Sequence, residues 1–383
     1  MSDPRGGVVG LADKLREALL ARRDRLLASP RFHRLASAFW PTRPLARRRA
    51  VALFDLCAGF VYSQVLWAVV RLRLLERLAH GPLGRDELAA ATGLSAEAVE
   101  RLSAAAAGLG LVERRAAGRW GLGARGAELL ATPGLAAMIE HHAVLYADLA
   151  DPLALLRRPP GETRLARCWP YGSVEDPAGL SAEQVGPYSA LMAATQPMVT
   201  AEILAVRPFR GVRRLVDVGG GEGAFLEAVA ARHPRLELVL FDLPAVAERA
   251  RARLAAAGLA ERIRVVGGDF RRDPLPAGCD AASLVRVLHD HDDTTVLELL
   301  RAVRAALLPG GTVLIAEPLA ETPGAERVGA YFALYLAAMG RGRPRRADEL
   351  VALLRRAGFV RPRLHRTRLP LIASVVSARR DAP

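Results

Sequence analysis

The second half of the chain alternates between strand-like and helix-like segments, and this limits the fold more than any other feature. From residue 213 onward, short apolar runs are separated by amphipathic stretches of helical periodicity. The predicted strands are 215–218, 236–241, 264–266, 282–287 and 312–316, and the predicted helices are 222–232, 245–257, 294–307 and 347–357. The alternation predicts an α/β fold with a parallel sheet covered by helices on both faces.

A glycine-rich loop joins the first strand to the first helix, with the sequence Asp217-Val218-Gly219-Gly220-Gly221-Glu222-Gly223. Glycines permit tight turns and a close approach of the backbone to a ligand. A sulfonium cofactor with an amino-acid end fits this D-x-G-x-G-x-G pattern. Asp217 can bind the ammonium of that end, and backbone N–H groups can bind its carboxylate.

The same loop also fits the dinucleotide-binding fingerprint, because Gly219, Gly221 and Ala224 match G-x-G-x-x-G/A. Asp242, at the end of the next strand, would bind ribose hydroxyl groups in either case. The loop alone therefore leaves both ligands open. A further strand pair is predicted at 363–369 and 372–377, and it is a poor fit to a plain dinucleotide-binding fold.

Polar and aromatic side chains follow the other predicted strands where each one ends. Gly268-Asp269-Phe270 follows the third strand and places a carboxylate and a ring where an adenine would lie. Arg286 and His289 follow the fourth strand, and Glu317 ends the fifth. Ligands of parallel α/β sheets bind at the carboxyl ends of the strands, so we expect these groups to converge on one crevice.

Neither a metal centre nor a disulfide framework is predicted. The run His289-Asp290-His291-Asp292-Asp293 holds possible metal ligands, but adjacent side chains point in different directions. Cys57, Cys168 and Cys279 are isolated, odd in number and without CxxC spacing.

Residues 1–50 are expected to form a basic arm, with twelve Arg or Lys against four Asp or Glu in a chain of formal charge +14. Such a segment favours an anionic membrane surface or nucleic acid. The alternative is a solvated, partly disordered arm.

Residues 51–135 are predicted to be helices followed by a small hairpin. Helices 84–92 and 95–108 join at Gly93-Leu94, and strands 112–114 and 119–122 lie around Gly118, a winged helix-turn-helix pattern. The second helix opens with Glu97 and Glu100, which would repel phosphate. Dimerisation or substrate covering is therefore favoured over DNA binding, and no nucleic-acid partner is predicted.

Residues 136–210, interrupted by a Pro/Gly-rich stretch at 157–186, are expected to line a substrate cavity.

The most apolar window, residues 53–75, contains Asp55, Gln64, Arg71 and Arg73. A membrane-spanning helix needs about 20 nearly uninterrupted apolar residues, so an amphipathic core helix is predicted instead. Charged residues near the N-terminus also argue against a signal peptide. The chain is expected to be soluble or at most peripheral at a membrane.

Taken together, the motifs resemble those of the caffeate-type small-molecule O-methyltransferases: the Asp217 loop, Phe241-Asp242-Leu243-Pro244, Gly268-Asp269-Phe270, Leu288-His289-Asp290 and Ala316-Glu317-Pro318. The resemblance implies a class I, Rossmann-like methyltransferase sheet with a terminal antiparallel strand, and S-adenosylmethionine as cofactor. It also implies a homodimer formed through the winged-helix domain. The expected division is a basic arm (1–50), a dimerisation domain (51–135), a connecting segment (136–210) and a catalytic domain (211–383).

The resemblance also implies roles for the residues at the strand ends. His289 would be the general base for the acceptor hydroxyl, Glu317 would orient it through a ring N–H, and Asp290 would be a second polar neighbour. A histidine pKa near 6.5 is poorly matched to an unactivated alcohol, so proton removal should accompany or follow methyl transfer. The expected cofactor-binding residues are Asp217, Gly219, Gly221, Gly223, Asp242, Leu243, Asp269, Phe270 and Arg286.

A narrower resemblance, to the carotenoid 1-hydroxy O-methyltransferases of purple photosynthetic bacteria, rests on residues 54–64, Glu140-His141-His142, Trp169-Pro170-Tyr171 and residues 339–344. It implies an acyclic hydroxylated carotenoid as substrate (hydroxyneurosporene or demethylspheroidene, in spheroidene synthesis) and a cytoplasmic enzyme that meets it at the photosynthetic membrane. Residues 136–156 and 331–339 would then supply the apolar pocket.

Three other interpretations stay open at this point. One is O-methylation of a polyketide, a phenol or a tetrapyrrole. The second is a DNA-binding regulator that uses the winged helix, with the cofactor domain as sensor. The third is a dinucleotide-dependent oxidoreductase.

Overall fold

The computed structural model describes residues 11–159, 161–169, 171, 177–206 and 208–382. It divides into two compact units, residues 1–68 and 69–383. The first ten residues of the predicted basic arm, part of the Pro/Gly-rich stretch and Pro170 of the Trp-Pro-Tyr motif lie outside the described residues. The predicted division into four segments is finer than these two units and stays a prediction.

The first unit consists of helices α1 (Leu11–Leu27), α2 (Pro30–Ala38) and most of α3 (Arg43–Arg71). Ser29 begins α2, because its hydroxyl accepts the N–H of Phe32 and Pro30 suits the first helical position. No side chain of α1 or α2, both wholly within the described residues, is buried. Helix α3 has the length and composition of a membrane-spanning helix, a test that core helices of soluble proteins also pass.

The prediction of one amphipathic core helix over residues 53–75 is wrong in two respects. Helix α3 ends at Arg71, because Arg73 adopts a left-handed backbone conformation with φ of 52°, and a short helix α4 (Leu74–Leu78) follows. Burial on α3 is confined to Val69 and Val70. The apolar side chains nearer its N-terminus are exposed, among them Leu53, Phe54, Leu56 and Phe60. In the single chain this stretch is therefore an apolar surface.

The predicted winged helix-turn-helix is present. It comprises α5 (Arg85–Thr92), α6 (Ala96–Gly108), the antiparallel strands β1 (Val112–Arg114) and β2 (Trp120–Leu122), and α7 (Ala124–Leu130). Ser95 begins α6 as predicted, accepting the N–H of Ala98 at 3.1 Å. Glu100 accepts a hydrogen bond from the indole N–H of Trp120 at 3.0 Å and pairs with Arg114. The carboxylate that argued against DNA binding thus holds the wing to the helix.

Four helices lead to the sheet: α8 (Pro133–Asp148), α9 (Pro152–Arg157), α10 (Arg164–Cys168) and α11 (Ala182–Ala205). The buried carboxylate of Asp148 accepts the N–H groups of Arg164 and Leu165, at 3.0 and 2.8 Å, and so joins the end of α8 to the start of α10. Ser181 and Gln184 form a capping box at the start of α11.

A seven-stranded sheet forms the C-terminal half. Its strands are β3 (Arg214–Val218), β4 (Glu237–Asp242), β5 (Ile263–Gly267), β6 (Cys279–Val285), β7 (Leu307–Glu317), β8 (Phe359–His365) and β9 (Ser374–Arg380). Its helices are α12 (Ala224–Arg232), α13 (Pro244–Ala256), α14 (Asp293–Ala306), α15 (Glu326–Met339) and α16 (Ala347–Arg356). The strand order is β5-β4-β3-β6-β7-β9-β8, and β9 alone runs antiparallel to both of its neighbours. The predicted fold class is confirmed.

The boundaries predicted for the last strand pair, 363–369 and 372–377, are wrong by two to four residues. The connection is longer than Pro370-Leu371, because the N–H groups of Arg368 and Leu369 bind the carboxylate of Glu202 on α11 instead of a strand. Strand β6 also ends at Val285, two residues earlier than predicted, because Arg286 turns the chain with φ of 57°.

Two apolar clusters cover the two faces of the sheet. Successive residues of a strand point to opposite faces, so Leu215 of β3 packs with Ile203 of α11 and Phe225 of α12, whereas Val216 packs with Leu300 of α14. Helix α11, which lies in the predicted connecting segment, is therefore part of the cover of the sheet. This places α11 next to the strand ends that carry the site.

Candidate active site

The carboxyl ends of β3 to β6 surround one cavity, as predicted for a parallel sheet. Gly219, Gly221 and Gly223 have φ of 71°, 58° and 84°, conformations that favour glycine. A Cβ on Gly219 would collide with the side chain of Val287. The loop therefore needs glycine both for its conformation and for its close packing against the chain that leaves β6.

Asp217 presents a buried carboxylate to this cavity. Its Oδ1 accepts a hydrogen bond from Ser283 Oγ at 2.6 Å, whereas Oδ2 has no hydrogen-bond partner within the described part of the chain. Burial raises the pKa of Asp217 to about 7, against the lowering effect of Ser283 and with a further contribution from Asp242. A buried carboxylate oxygen without a partner fits a cationic group such as an ammonium, which would offset the cost of its burial.

Asp242 ends β4 and also lines the cavity. Its Oδ2 accepts the N–H of Gly221 and its Oδ1 accepts the N–H of Leu243, each at 2.7 Å. Burial raises the pKa of Asp242 to about 6, and the two hydrogen bonds lower it. Each carboxylate oxygen retains capacity for one more donor, so the group can still bind hydroxyl groups of a ligand.

Asp269 and Phe270 lie where predicted, at the exit of β5, and line the cavity. The carboxylate of Asp269 is already paired, because Arg271 binds both oxygens through Nε and Nη2. Burial would raise the pKa of Asp269, but the bonds to Arg271 outweigh it and hold the pKa below its usual value. Phe270 lies edge-on to His291, with ring centroids 5.4 Å apart, so an aromatic corner is available to a flat ligand.

Arg286 lines the cavity as well, but most of its guanidinium is bound to α11. Nη1 donates to Thr195 Oγ1 at 2.7 Å, and Nη2 donates to the Met192 carbonyl at 2.7 Å and to Gln196 Oε1 at 2.5 Å. Within the described residues only Nε has no partner. Arg286 therefore joins α11 to the end of β6, and its predicted contact with the cofactor stays a prediction.

His289 and Asp290 lie on the 3-10 turn Leu288–Asp290 after β6, and both are buried. His289 Nε2 lies 3.2 Å from Asp290 Oδ1, and Nδ1 lies 3.9 Å from Glu317 Oε2. Burial lowers the pKa of His289, but the nearby carboxylates of Asp290 and Glu317 outweigh burial and raise the pKa above 6.5. The turn thus holds an imidazole that is suited to take up a proton.

The predicted hydrogen bond from a His289 ring N–H to Glu317 is not present, because 3.9 Å is too long for one. Instead, Glu317 Oε1 accepts the backbone N–H groups of Val287 at 3.1 Å, of Leu288, and of His289 at 3.2 Å. Burial raises the pKa of Glu317, while the charges of His289 and Arg345 lower it. Glu317 therefore acts on the backbone of the turn and reaches the imidazole only through its charge.

Gly223 completes the set of predicted site residues. It precedes the first residue of α12 and packs against Leu240 and Leu254. The cavity lining formed by the described residues does not include Gly223, His289 or Glu317. It does include Asp290 and the other predicted cofactor-binding residues.

Two arrangements at the site are not predictable from the local sequence. Glu222 lines the cavity and pairs with Arg249 of α13 at 2.6 Å. Arg345 is almost fully buried (1% exposed) and binds the carbonyl groups of Leu288 and His291. Nothing local distinguishes Arg345 from the other arginines of residues 341–346, since its burial results from contacts made more than 50 residues away.

Asp217 is expected to titrate near pH 7 in the ligand-free protein, because burial disfavours its charged form. Removing the hydrogen bond in Ser283→Ala should raise the pKa of Asp217 further. Carboxyl ¹³C NMR against pH would measure both values, with Asp217→Asn to assign the signal. Asp269, whose pKa Arg271 holds low, serves as the internal control. A titration of Asp217 near pH 4 would contradict the expectation.

Comparison with known proteins identifies the family of this chain. Residues 54–132 match an O-methyltransferase dimerisation domain, and residues 173–360 match an O-methyltransferase domain. The demethylspheroidene O-methyltransferase of Cereibacter sphaeroides is 49% identical over 94% of this chain and 95% of its own length. The protein of the same name from Rhodobacter capsulatus is 42% identical over 93% of this chain and 88% of its own. The predicted resemblance is confirmed.

Solved structures share the fold. The mitomycin 7-O-methyltransferase MmcR has a TM-score of 0.72 at 27% identity, covering 88% of this chain and 99% of its own. A methyltransferase of calicheamicin biosynthesis, in its SAH-bound form, has a TM-score of 0.71 at 28% identity, covering 88% and 98%. The dimerisation domain supports the predicted homodimer, and the acceptor is a small molecule. The methyltransferase domain uses S-adenosylmethionine, as predicted. The chain therefore belongs to the O-methyltransferase family.

Proposed function

We propose that this protein methylates the 1-hydroxyl group of an acyclic carotenoid such as hydroxyneurosporene or demethylspheroidene, in spheroidene synthesis. The observation that supports this substrate is the similarity, along almost the whole chain, to two demethylspheroidene O-methyltransferases. The alternative acceptors are other hydroxylated metabolites, since relatives named for acetylserotonin and phenazine match with lower identity.

An apolar, aromatic cluster on the acceptor side supports a long hydrocarbon substrate. It unites residues of α8, α9, α10 and α15 with Trp169, which directly follows α10; the helix residues include Leu145, Leu155, Leu165, Tyr335, Leu336 and Met339. Phe332 of the same cluster lies against His289, with ring centroids 5.9 Å apart. The predicted apolar segments 136–156 and 331–339 thus meet beside the proposed base.

Two histidines of α8 contact tyrosines of this cluster and are not candidates for catalysis. His141 Nε2 lies 3.0 Å from the hydroxyl of Tyr335, and His142 Nε2 lies 2.8 Å from that of Tyr331. Burial lowers the pKa of His142 to about 4, with a contribution from His141, so its imidazole is neutral near pH 7. We assign both histidines to the pocket wall, where they fix α15 through its tyrosines.

The cofactor-binding assignments follow from the cavity. Asp217 would hold the ammonium of S-adenosylmethionine, Asp242 its ribose hydroxyl groups, and Phe270 its adenine. Gly219, Gly221, Gly223, Leu243, Asp269 and Arg286 complete the proposed set. When bound, S-adenosylmethionine would supply the electrophilic methyl group, with its methyl–sulfur bond breaking and S-adenosylhomocysteine as the leaving group.

His289 is the proposed general base. The hydroxyl proton of the acceptor passes to its imidazole as, or after, the oxygen–methyl bond forms, because an unactivated alcohol is far too weak an acid to ionise first. The carboxylate of Asp290, 3.2 Å from Nε2, stabilises the resulting imidazolium. Glu317 adds negative charge beneath the turn. Most of the acceleration then comes from holding the acceptor in line within a dry site.

The acid limb of kcat against pH should report His289. The base must be neutral, so activity is lost as pH falls through its raised pKa. In Asp290→Asn the largest raising influence is removed, burial dominates, and the limb should move to lower pH. Asp292→Asn is the matched control, because Asp292 is exposed and caps α14, a role that Asn also serves. An unchanged limb in Asp290→Asn would argue against this electrostatic role.

The substrate is tested by incubating the purified protein with labelled S-adenosylmethionine and a panel of acceptors in detergent. The panel contains a 1-hydroxycarotenoid, phenols and a tetrapyrrole. Label should appear as a methyl ether on the 1-hydroxycarotenoid, and His289→Gln should reduce the rate by about 10²–10⁴-fold while binding of S-adenosylhomocysteine is retained. Label on another acceptor but not on the carotenoid would reject the substrate proposal.

We further propose that the cytoplasmic protein meets its insoluble substrate at an anionic membrane surface through α1, α2 and the first part of α3. On α1, the exposed residues Leu11, Leu15, Leu19 and Leu26 share one face by helical spacing. Leu35, Phe39 and Trp40 are exposed at and after α2. Residues 11–50 carry eleven Arg or Lys against three Asp or Glu. Apolar side chains among arginines are the composition of a surface that lies on anionic lipid.

Binding to vesicles containing an anionic lipid should weaken by at least about a hundredfold at low salt in the triple variant Arg47→Glu, Arg48→Glu, Arg49→Glu, since each basic residue near the surface contributes about 1 kcal/mol. Vesicle flotation measures this. The matched control reverses the exposed helical residues Arg301, Arg355 and Arg356. Equal binding by both variants, or no binding by the parent protein, would refute the membrane proposal. Turnover of detergent-dispersed substrate should be the same in the triple variant as in the parent protein.

A further inference from the structure

The 3-10 turn that carries His289 is held on two sides. Its N–H groups are bound by Glu317, as described above. Its carbonyl groups face residues 340–346, the segment between α15 and α16, which we call the strap. Within the strap, the N–H of Arg343 donates to the His289 carbonyl at 2.9 Å. Turn and strap are therefore joined through their backbones.

Arg345 of the strap makes the most extensive contacts with the turn. Nη1 donates to the Leu288 carbonyl at 2.6 Å, Nη2 donates to the His291 carbonyl at 2.7 Å, and Nε donates to Asp293 Oδ1 at 2.8 Å. One rigid guanidinium thus binds the chain on both sides of His289 and the first residue of α14. A lysine, with a single nitrogen, cannot reach three acceptors spread along this chain.

The strap has little freedom to move away from the turn. Gly342 has φ of 76°, and a Cβ at this position would overlap the carbonyl oxygen of His289. The carbonyl of Arg345 accepts the N–H of Ala320 at 2.8 Å, just beyond the end of β7. Strand β7 therefore holds the turn in two ways. Its last residue, Glu317, binds the N–H groups of the turn, and the chain just beyond it anchors the strap, which binds the carbonyl groups of the turn.

We propose that Arg345 is a positioning residue for the methyl-transfer reaction: opposed by Glu317, it fixes the turn and keeps the His289 imidazole beside Asp290. Burying a guanidinium is costly unless its donors are bound. Two of the three groups that bind it are the carbonyl of Leu288 in the turn and that of His291 directly after it, so its burial and the position of the turn depend on each other. The inference rests on the proposed role of His289 as base.

Kinetics of Arg345→Met and Arg345→Lys test the proposal. Displacing the base by about 1 Å should lower kcat by about 10²-fold, while the acceptor KM and the Kd for S-adenosylhomocysteine stay within about threefold of the parent values, because neither ligand is assigned to Arg345. Arg343→Met is the matched control. Arg343 lies on the same strap. Its side chain pairs with Asp293 of α14 and Glu349 of α16 but does not bind the carbonyls of the turn. It should keep the parent kcat.

A second measurement does not require turnover. The ¹⁵N imidazole titration of His289, assigned with His289→Gln, should move to lower pH in both Arg345 variants and not in Arg343→Met, because the ring is no longer held beside Asp290. If Arg345→Met does not fold, Arg345→Lys, which keeps the positive charge, displaces the turn by a smaller change and should show the same shift.

The possible outcomes separate this inference from the proposed function. An unchanged His289 titration in the Arg345 variants overturns the positioning role. This holds even if kcat and the affinity for the cofactor both fall in those variants. A shifted titration with lower kcat supports it. A shifted titration with the parent kcat supports the positioning role and rejects His289 as base.

Discussion

The site depends on one buried interaction, the carboxylate of Glu317 with three successive N–H groups of residues 287–289. At Arg286 the chain leaves β6 through a left-handed residue, so it leaves the sheet and these N–H groups have no strand partner. Unpaired buried N–H groups would be costly. Because β7 lies beside β6 in parallel, its last residue comes level with the turn and supplies the acceptor. The parallel pairing of β6 and β7 thereby determines the position of the His289 imidazole.

The carboxylates around the cavity divide into two electrostatic classes. Asp269 is neutralised by Arg271, and Glu222 by Arg249. Asp217 and Asp242 have no cationic partner among the described residues and have raised pKa values. These two carboxylates thus lie without a cation at the exits of β3 and β4, where a cofactor with an ammonium and hydroxyl groups would compensate them, whereas Asp290, which also lines the cavity, faces the His289 imidazole. Because Asp217 and Asp242 have no cation beside them among the described residues, the site favours a cationic ligand over a pyrophosphate.

The sequence was sufficient to predict features that depend on local pattern. The strand–loop–helix at Asp217, the wing around Gly118 and the order of polar residues at strand ends are all readable from spacing, since parallel strands place their exits on one edge. Features that depend on distant contacts were not predictable. Arg345 looks like any other arginine of its segment, and Arg286 is bound to α11, some 90 residues earlier. The exposure of Leu53 to Phe60 was missed because apolar composition does not reveal whether another element covers a helix.

Helix α15 of the pocket wall and the strap that binds the turn of His289 are parts of one continuous stretch of chain. Helix α15 brings Phe332 against His289, and its C-terminal glycine, Gly340, leads directly into the strap that binds the turn. A change of side chain on α15 that shifts the helix therefore also shifts the residues that hold the turn. With His289 as the proposed base, acceptor choice and base position would then be coupled mechanically, and enlarging the proposed pocket would lower the rate as well as the specificity. In such a site, the paired tyrosines and histidines that fix α15 to α8 would contribute to the proposed catalysis without touching the reacting atoms.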